Sequence, residues 1–326
     1  MHEVMRSLLA VLGAALLALV LAPTARALPG QGSCTLQPGS PPCLTWTGKV
    51  TWISDGDTVE VDVDGDGTRQ PVTVRLIGIQ AMEQSRYSAI ASRRRGDCHA
   101  VAATDRLERL LRGSHMRVRL AAQDPNAESF GRPWRSLDVR VHGHWRDAQR
   151  ILLREGLVLA MPNQIEYAWN HDYTMIGEEA ASRHVGLFND HSCGAGPSAG
   201  AQLSLRLTWS GRTPRYATEN LNVDDESVEI DNAGPVAVPL GGWWVRDSGL
   251  RRYTFPAGAV VPAGGSVTLF VGSGQDTPTR FFWGLPSSIF GDFADDGRWI
   301  GDGAYLFDPQ GDLREESMYP CLFACS

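Results

Sequence analysis

The chain has 326 residues, 43% of them hydrophobic and 21% charged, and 37 acidic against 30 basic side chains give a formal net charge of −7. That balance excludes a disordered polyelectrolyte, and the length exceeds the roughly 100–200 residues one domain usually holds, so two domains are expected. The acidity is uneven: residues 45–193 carry 19 basic and 20 acidic side chains, and residues 194–326 carry 9 and 16.

In chain order, residues 1–27 read as a targeting segment. Arg6 heads an apolar run from Leu8 to Ala22, shorter than the ~20 residues a bilayer span needs, and Ala25-Arg26-Ala27 has the small-x-small form of a signal peptidase site. The expectation is a cleaved secretory signal, with an uncleaved anchor as the alternative, and a protein that is secreted, extracellular or cell-wall associated with no membrane span in the mature chain. The six cysteines, Cys34, Cys43, Cys98, Cys193, Cys321 and Cys325, suit disulfides in that setting. Fifteen pairings are open to six cysteines; Cys34 with Cys43 and Cys321 with Cys325 would close short loops, which would leave Cys98 with Cys193.

After a soft N-terminal segment, residues 28–46, a first unit is expected over residues 47–193. Val50 and Trp52, then Val59, Val61 and Val63, then Val72, Val74 and Leu76 alternate with polar residues, which predicts a three-stranded antiparallel meander with one buried face. A helix follows with Val101, Thr104, Leu107, Leu110 and Leu111 on one side, ended by Gly113. Strands at Met116–Leu120 and Ser136–Val141 precede a helix at Asp147–Glu155. A third helix near Thr174–Arg183 carries Glu178 and Glu179 on its polar face. This order predicts a five-stranded barrel of the OB kind with three helices packed on it.

The most acidic stretch, ISDGDTVEVDVDGDGT from Ile53 to Thr68, places six acids between Asp55 and Asp66. Asp62 to Gly67 has the D-x-D-x-D-G spacing of a calcium loop, but its twelfth position is Thr73 where a bidentate glutamate belongs, and no helix flanks it. Hairpin turn chemistry explains those residues better.

DGDTVEV, VRLIGIQAMEQ, ESFGRPW, LLREGLVLA and a closing GLFND, taken in order and spacing, resemble the staphylococcal nuclease family from about Thr47 to Cys193. The resemblance implies a calcium-dependent endonuclease acting on DNA and RNA, preferring single-stranded regions and leaving 3′-phosphate ends. It assigns Asp57 as a calcium ligand, Glu83 as general base, and Arg75 and Arg132 as the arginines that hold the phosphate. A cation on a non-bridging oxygen, a base for water and planar guanidinium forks are what phosphodiester hydrolysis needs. The family's second metal aspartate is Gln80 here, in Gln80-Ala81-Met82-Glu83, and the backbone carbonyl of Ala81 takes the place of a threonine carbonyl. Two readings follow from Gln80: a nuclease that tolerates the lost charge, with Asp55 or Asp124 compensating, or an extracellular nucleic-acid-binding or structural protein whose barrel no longer cuts. Phe130, beside Gly131-Arg132, is a candidate base-stacking platform, with core packing as the alternative. The run Arg93-Arg94-Arg95 is a candidate phosphate contact, with a solvated loop as the alternative.

The glycine-rich stretch at residues 194–204 reads as a linker. In residues 205–326, short runs such as SVEIDN, GGWWVRD and SVTLFVGS between glycine and proline turns predict an all-β sandwich. VEIDNAGPVAVPLGGWWVRD, YTFPAGAVVPAGGSVTLFVGSG and GDGAYLFDPQGDL resemble the lamin tail domain, which implies an immunoglobulin-like fold. Trp243 and Trp244 are expected in the core, and Asp295, Asp296, Asp302 and Asp308 in turns. The whole is therefore expected to be mainly β, in two domains. The sandwich's fold names no chemistry, and its partner is left unassigned.

Overall fold

A computed structural model describes residues 30–84, 97–189, 198, 200–208, 226–290 and 300–323. The expected signal segment, the Arg93-Arg94-Arg95 run, Cys193, Cys325, Asp295 and Asp296 lie outside the described residues.

The first domain contains β1 (Gly30–Ser33), β2 (Pro42–Ile53), β3 (Thr58–Val63), β4 (Val72–Leu76), β5 (Ile79–Ala81), α1 (Ala100–Gly113), β6 (Arg117–Ala122), β7 (Glu128–Ser129), β8 (Arg132–Val141), β9 (His144–Asp147), α2 (Ala148–Arg154), β10 (Val158–Ala160) and α3 (Asn170–Ser182). Five strands in the order β2-β3-β4-β8-β6 form a barrel that closes where β6 returns to β2. Closure depends on the length of β2: its first half, Leu44–Lys49, pairs with β6, and its second half, Gly48–Ile53, pairs with β3 across a bulge. Gly48 lies at the crossover, where a Cβ would stand 2.6 Å from the Asp62 carbonyl oxygen.

Alternation holds at most of the predicted positions, but Trp52, expected on the buried face, is 53% exposed because the register of β2 shifts between Val50 and Trp52. Val59, Val61, Val74, Leu76, Leu120, Leu137 and Val139 are all fully buried in one core. Each such side chain contributes about 1.5–3 kcal/mol of burial free energy.

Several expectations are corrected. Residues 42–46, assigned to a separate N-terminal segment, are barrel strand, and β1 pairs with them from Gly30 to Ser33. The buried stripe of α1 is Ala100, Ala103, Leu107, Leu110 and Leu111, while Val101 is 41% exposed. Gly113 is the last helical residue and Ser114 the cap; left-handed backbone follows at His115 and Met116. Glu178, expected on a polar face, is buried: its Oε2 accepts the backbone N–H groups of Leu322 and Phe323 at 2.7 and 2.6 Å. The Asp62–Gly67 stretch ends β3 and turns toward β4, with Gly65 and Gly67 at positive φ, Asp64 paired with Arg117, and Asp66 capping the Thr68 N–H.

The second domain is a sandwich of β11 (Leu203–Thr208), β12 (Ser227–Asn232), β13 (Val238–Pro239), β14 (Trp244–Arg246), β15 (Arg252–Thr254), β16 (Val260–Val261), β17 (Ser266–Phe270), β18 (Arg280–Phe282), β19 (Asp302–Phe307) and β20 (Leu313–Tyr319). One sheet runs β11-β12-β17-β18 and the other β15-β14-β19-β20, with β13 and β16 forming a separate pair. Leu203 and Ser204, expected in the linker, already belong to β11. Trp243 lies in the sandwich core, whereas Trp244 packs in a third cluster with Phe307 and Leu313 from its own domain and Met82, Leu187 and Phe188 from the barrel domain. That cluster joins the two domains.

Candidate functional site

The DGDT stretch forms a tight turn between β2 and β3. The Asp55 carboxylate accepts the Asp57 N–H at 3.0 Å, an Asx turn, and the Ser54 N–H donates to the Thr58 carbonyl at 2.9 Å. Glycine is required at position 56 because a Cβ would meet Ala103 Cβ at 2.7 Å and Ala81 Cβ at 2.9 Å. The turn is thus held between α1 and β5.

Asp57 is 4% exposed. Its Oδ1 accepts the Thr58 hydroxyl at 3.0 Å and pairs with Arg75, while its Oδ2 accepts the Ala81 N–H at 2.7 Å. Arg75 stands directly opposite Thr58 in the β3–β4 register. Its guanidinium donates to the carbonyls of Asp57 and Ile79, both at 3.2 Å, and to Gln80 Oε1 at 2.6 Å. Gln80 sits in β5, which is paired by β10 through Leu159. Its Nε2 donates to the Ala81 carbonyl at 3.2 Å and to Glu83 Oε1 at 3.4 Å. Asp57, Arg75, Gln80, Ala81 and Glu83 therefore form one connected hydrogen-bonded group. Glu83 keeps an exposed surface at its mouth.

Arg132 joins this group by strand register. β4 and β8 run parallel with Arg75 opposite Trp134, so Arg132, two residues earlier on β8, shares the face of Arg75. Strand spacing puts their Cα atoms roughly 8 Å apart. Arg132 Nε donates to the Ser129 carbonyl at 3.2 Å, and among the described residues the side chain makes no ion pair. Phe130, at the tip of the β7–β8 hairpin, is 95% exposed, which rules out the packing role. Asp124 is committed elsewhere: it accepts the Asn126 N–H at 2.8 Å, and its charge acts on Arg135 and Glu166.

Charge in the group is unbalanced. Burial first, and then the neighbouring Asp57, push the Asp55 carboxyl up from the ordinary carboxylate range. The same two causes in the same order push Glu83 up, opposed by Arg75 and Arg246. Calcium takes six to eight oxygens. The donors near Asp57, namely the carboxylates of Asp57 and Asp55, the Gln80 amide oxygen and the Ala81 carbonyl, are all oxygen, and the surplus of negative charge also suits a dication. The donor chemistry fits calcium. Among the described residues no three His, Cys, Asp or Glu side chains group as a metal cluster, so water and backbone would complete the shell. Asp57 Oδ1 and Gln80 Oε1 are both engaged by Arg75, so a cation would share those atoms with the guanidinium.

Cys34 and Cys43 form a disulfide. Cys98 and Cys321 are each disulfide-bonded. The expected partner of Cys98, Cys193, lies outside the described residues, as does Cys325.

Fold and site together define a two-domain chain: a closed five-stranded barrel carrying an acid–arginine cluster at one edge, joined to a β-sandwich. The sandwich has a family. Residues 214–320 match the Lamin Tail Domain. No curated protein matches the chain. The sequence pattern missed the contact between Arg246 and Met82, the residue before Glu83; no local signal links positions so far apart.

Proposed function

We propose that the barrel is a calcium-dependent phosphodiesterase of endonuclease type, cleaving DNA and RNA with preference for single-stranded regions and leaving 3′-phosphate ends. The chain acts outside the cytoplasm, and the lamin tail domain serves binding or localisation. What carries this reading is the convergence of Asp57, Arg75, Gln80 and Glu83, from the β2–β3 turn, β4, β5 and the segment after β5, into one hydrogen-bonded cluster with Arg132 on the same sheet face. The disulfide at Cys34–Cys43 and the bonded Cys98 and Cys321 suit an oxidising compartment, and no helix among the described residues is long and apolar enough to cross a membrane.

In this mechanism Glu83 takes the proton from the attacking water. Its raised affinity for protons brings it closer to neutral pH, where a general base works best. Arg75 and Arg132 approach the phosphate oxygens from neighbouring strands, and a guanidinium fork matches two such oxygens at once. Phe130 offers an exposed ring on which an unpaired base stacks. Asp57, Gln80 and the Ala81 carbonyl, with Asp55, would hold calcium, which when bound supplies charge neutralisation at a non-bridging oxygen.

A second reading, nucleic-acid binding without cleavage, is favoured by one observation: Arg75 already occupies Gln80 Oε1 and Asp57 Oδ1. Incubating the oxidised protein with single-stranded DNA in calcium, in EDTA and as Glu83→Gln separates the two. Cleavage that requires both calcium and Glu83 supports the nuclease. Retention of intact DNA on a gel shift, with no cleavage at millimolar calcium, refutes it, and Gln80→Asp then tests the missing carboxylate.

A further inference from the structure

Met82 precedes Glu83 and is 1% exposed, yet it is not packed into the barrel's own core. It belongs to a buried cluster that includes Trp244, Tyr305, Phe307 and Leu313 of the sandwich. Trp244 and Phe307 stack with centroids 4.0 Å apart and planes 4° from parallel. Arg246 lies two residues beyond Trp244 on β14 and so projects from the same face.

Arg246 is 4% exposed. It donates Nη1 to Met82 Sδ at 3.5 Å, Nε to the Asp247 carbonyl at 3.1 Å, and Nη2 to the Gly249 carbonyl. A buried guanidinium is costly unless opposite charge lies near it. The adjacent Asp247 supplies the leading opposite charge and also pairs with Arg251 at 3.1 Å. Across the domain boundary the weaker charges of Asp97 and Glu83 also act on Arg246, and the Asp97 N–H donates to the Glu83 carbonyl at 2.8 Å. The sandwich thus places a buried guanidinium against Met82, the residue next to the proposed base.

We propose that the lamin tail domain forms part of the cleavage site, with Arg246 as a positioning residue that holds the Met82–Glu83 segment in place. This rests on the nuclease reading above. It makes activity a property of the joined domains, with the sandwich as one wall of the site in addition to any binding role.

The test uses the full oxidised chain, a single-stranded oligodeoxynucleotide and saturating calcium, comparing wild type, Arg246→Met and Arg246→Lys. Methionine keeps the length and apolar contact but removes the charge; lysine restores the charge. Arg246→Met is expected to lower kcat about 10- to 100-fold, the scale on which misplacing a reacting group acts, with KM changed less than threefold and Arg246→Lys recovering most of the loss. Wild-type cleavage that Arg246→Met leaves unchanged would overturn the proposal while the nuclease reading stands. So would a loss that lysine fails to restore when both variants melt earlier by the same amount, since that marks a purely structural residue. A wild-type chain that does not cleave removes the nuclease reading and this inference with it.

Discussion

Replacing Arg75 with methionine tests whether the acid–arginine cluster is built as the contacts indicate. Arg75 is 5% exposed and paired with an Asp57 that is 4% exposed, and it also donates to two carbonyls and to Gln80. Removing one partner of a buried pair leaves the other charge uncompensated, which costs about 3–5 kcal/mol, against about 0–1 kcal/mol for an exposed pair. In urea, with a slope of about 2–3 kcal/mol per molar, the unfolding midpoint should fall by roughly 1–2.5 M. Asp57→Asn in the same background relieves the stranded carboxylate, so the double variant should be more stable than the sum of the single losses by about 1–3 kcal/mol. Far-UV circular dichroism of the full chain through a urea series measures all four proteins. A loss under about 1 kcal/mol for Arg75→Met, or single losses that simply add, would refute the buried-pair argument. Cleavage by Arg75→Met should be assayed without urea, so that lost activity is not lost fold.

Phe130→Ala should leave the unfolding midpoint within about 0.5 kcal/mol of wild type, since the ring is 95% exposed, yet weaken single-stranded DNA binding by about 1–3 kcal/mol in fluorescence anisotropy; unchanged affinity removes the stacking role. Asp147 caps α2 and accepts the Tyr173 hydroxyl at 2.8 Å, and burial followed by repulsion from Asp138 pushes it up to about 7. A carboxyl whose folded pKa is raised binds its proton more tightly when folded, so its favourable contribution is complete below pH ~4 and is lost as pH rises through about 7. Denaturant titrations from pH 4 to 8 should show wild type losing stability relative to Asp147→Asn at up to about 1.4 kcal/mol per pH unit, and parallel profiles would contradict the assignment. Gly78→Ala forces a side chain into φ +70°, with its Cβ 2.6 Å from the Tyr173 ring, and should cost about 2–4 kcal/mol from backbone strain and overpacking together. A thermal melt matching wild type would mean that the β4–β5 connection is looser than described.

Much of the barrel was legible because alternation is a local property of the chain. Val59, Val61, Val74 and Leu76 announce their strands by a period of two, whatever they pair with. The turn within Asp62–Gly67 was legible for the same reason, since Gly65 and Gly67 take positive φ and Asp66 caps an N–H two residues on. The stripe of α1 was misassigned at Val101 because its small residues, Ala100 and Ala103, carry little hydrophobic signal yet sit against the sheet. The polar face of α3 was misread because a C-terminal segment from the other domain covers Glu178 and satisfies its carboxylate with two backbone donors.

The sequence by itself determined the alternating strands, the turn chemistry of Asp62–Gly67, the mainly β character and which residue types are present for the proposed site. Tertiary structure alone decided which of them meet. The pairing of β10 with β5 secures Gln80, the parallel contact of β4 with β8 sets Arg132 on the face of Arg75, and the docking of the sandwich buries Met82 and brings Arg246 against it. Local patterns record what neighbouring residues prefer, whereas these contacts arise from how surfaces distant in the chain fit together, and burial then changes the charge balance of every group enclosed.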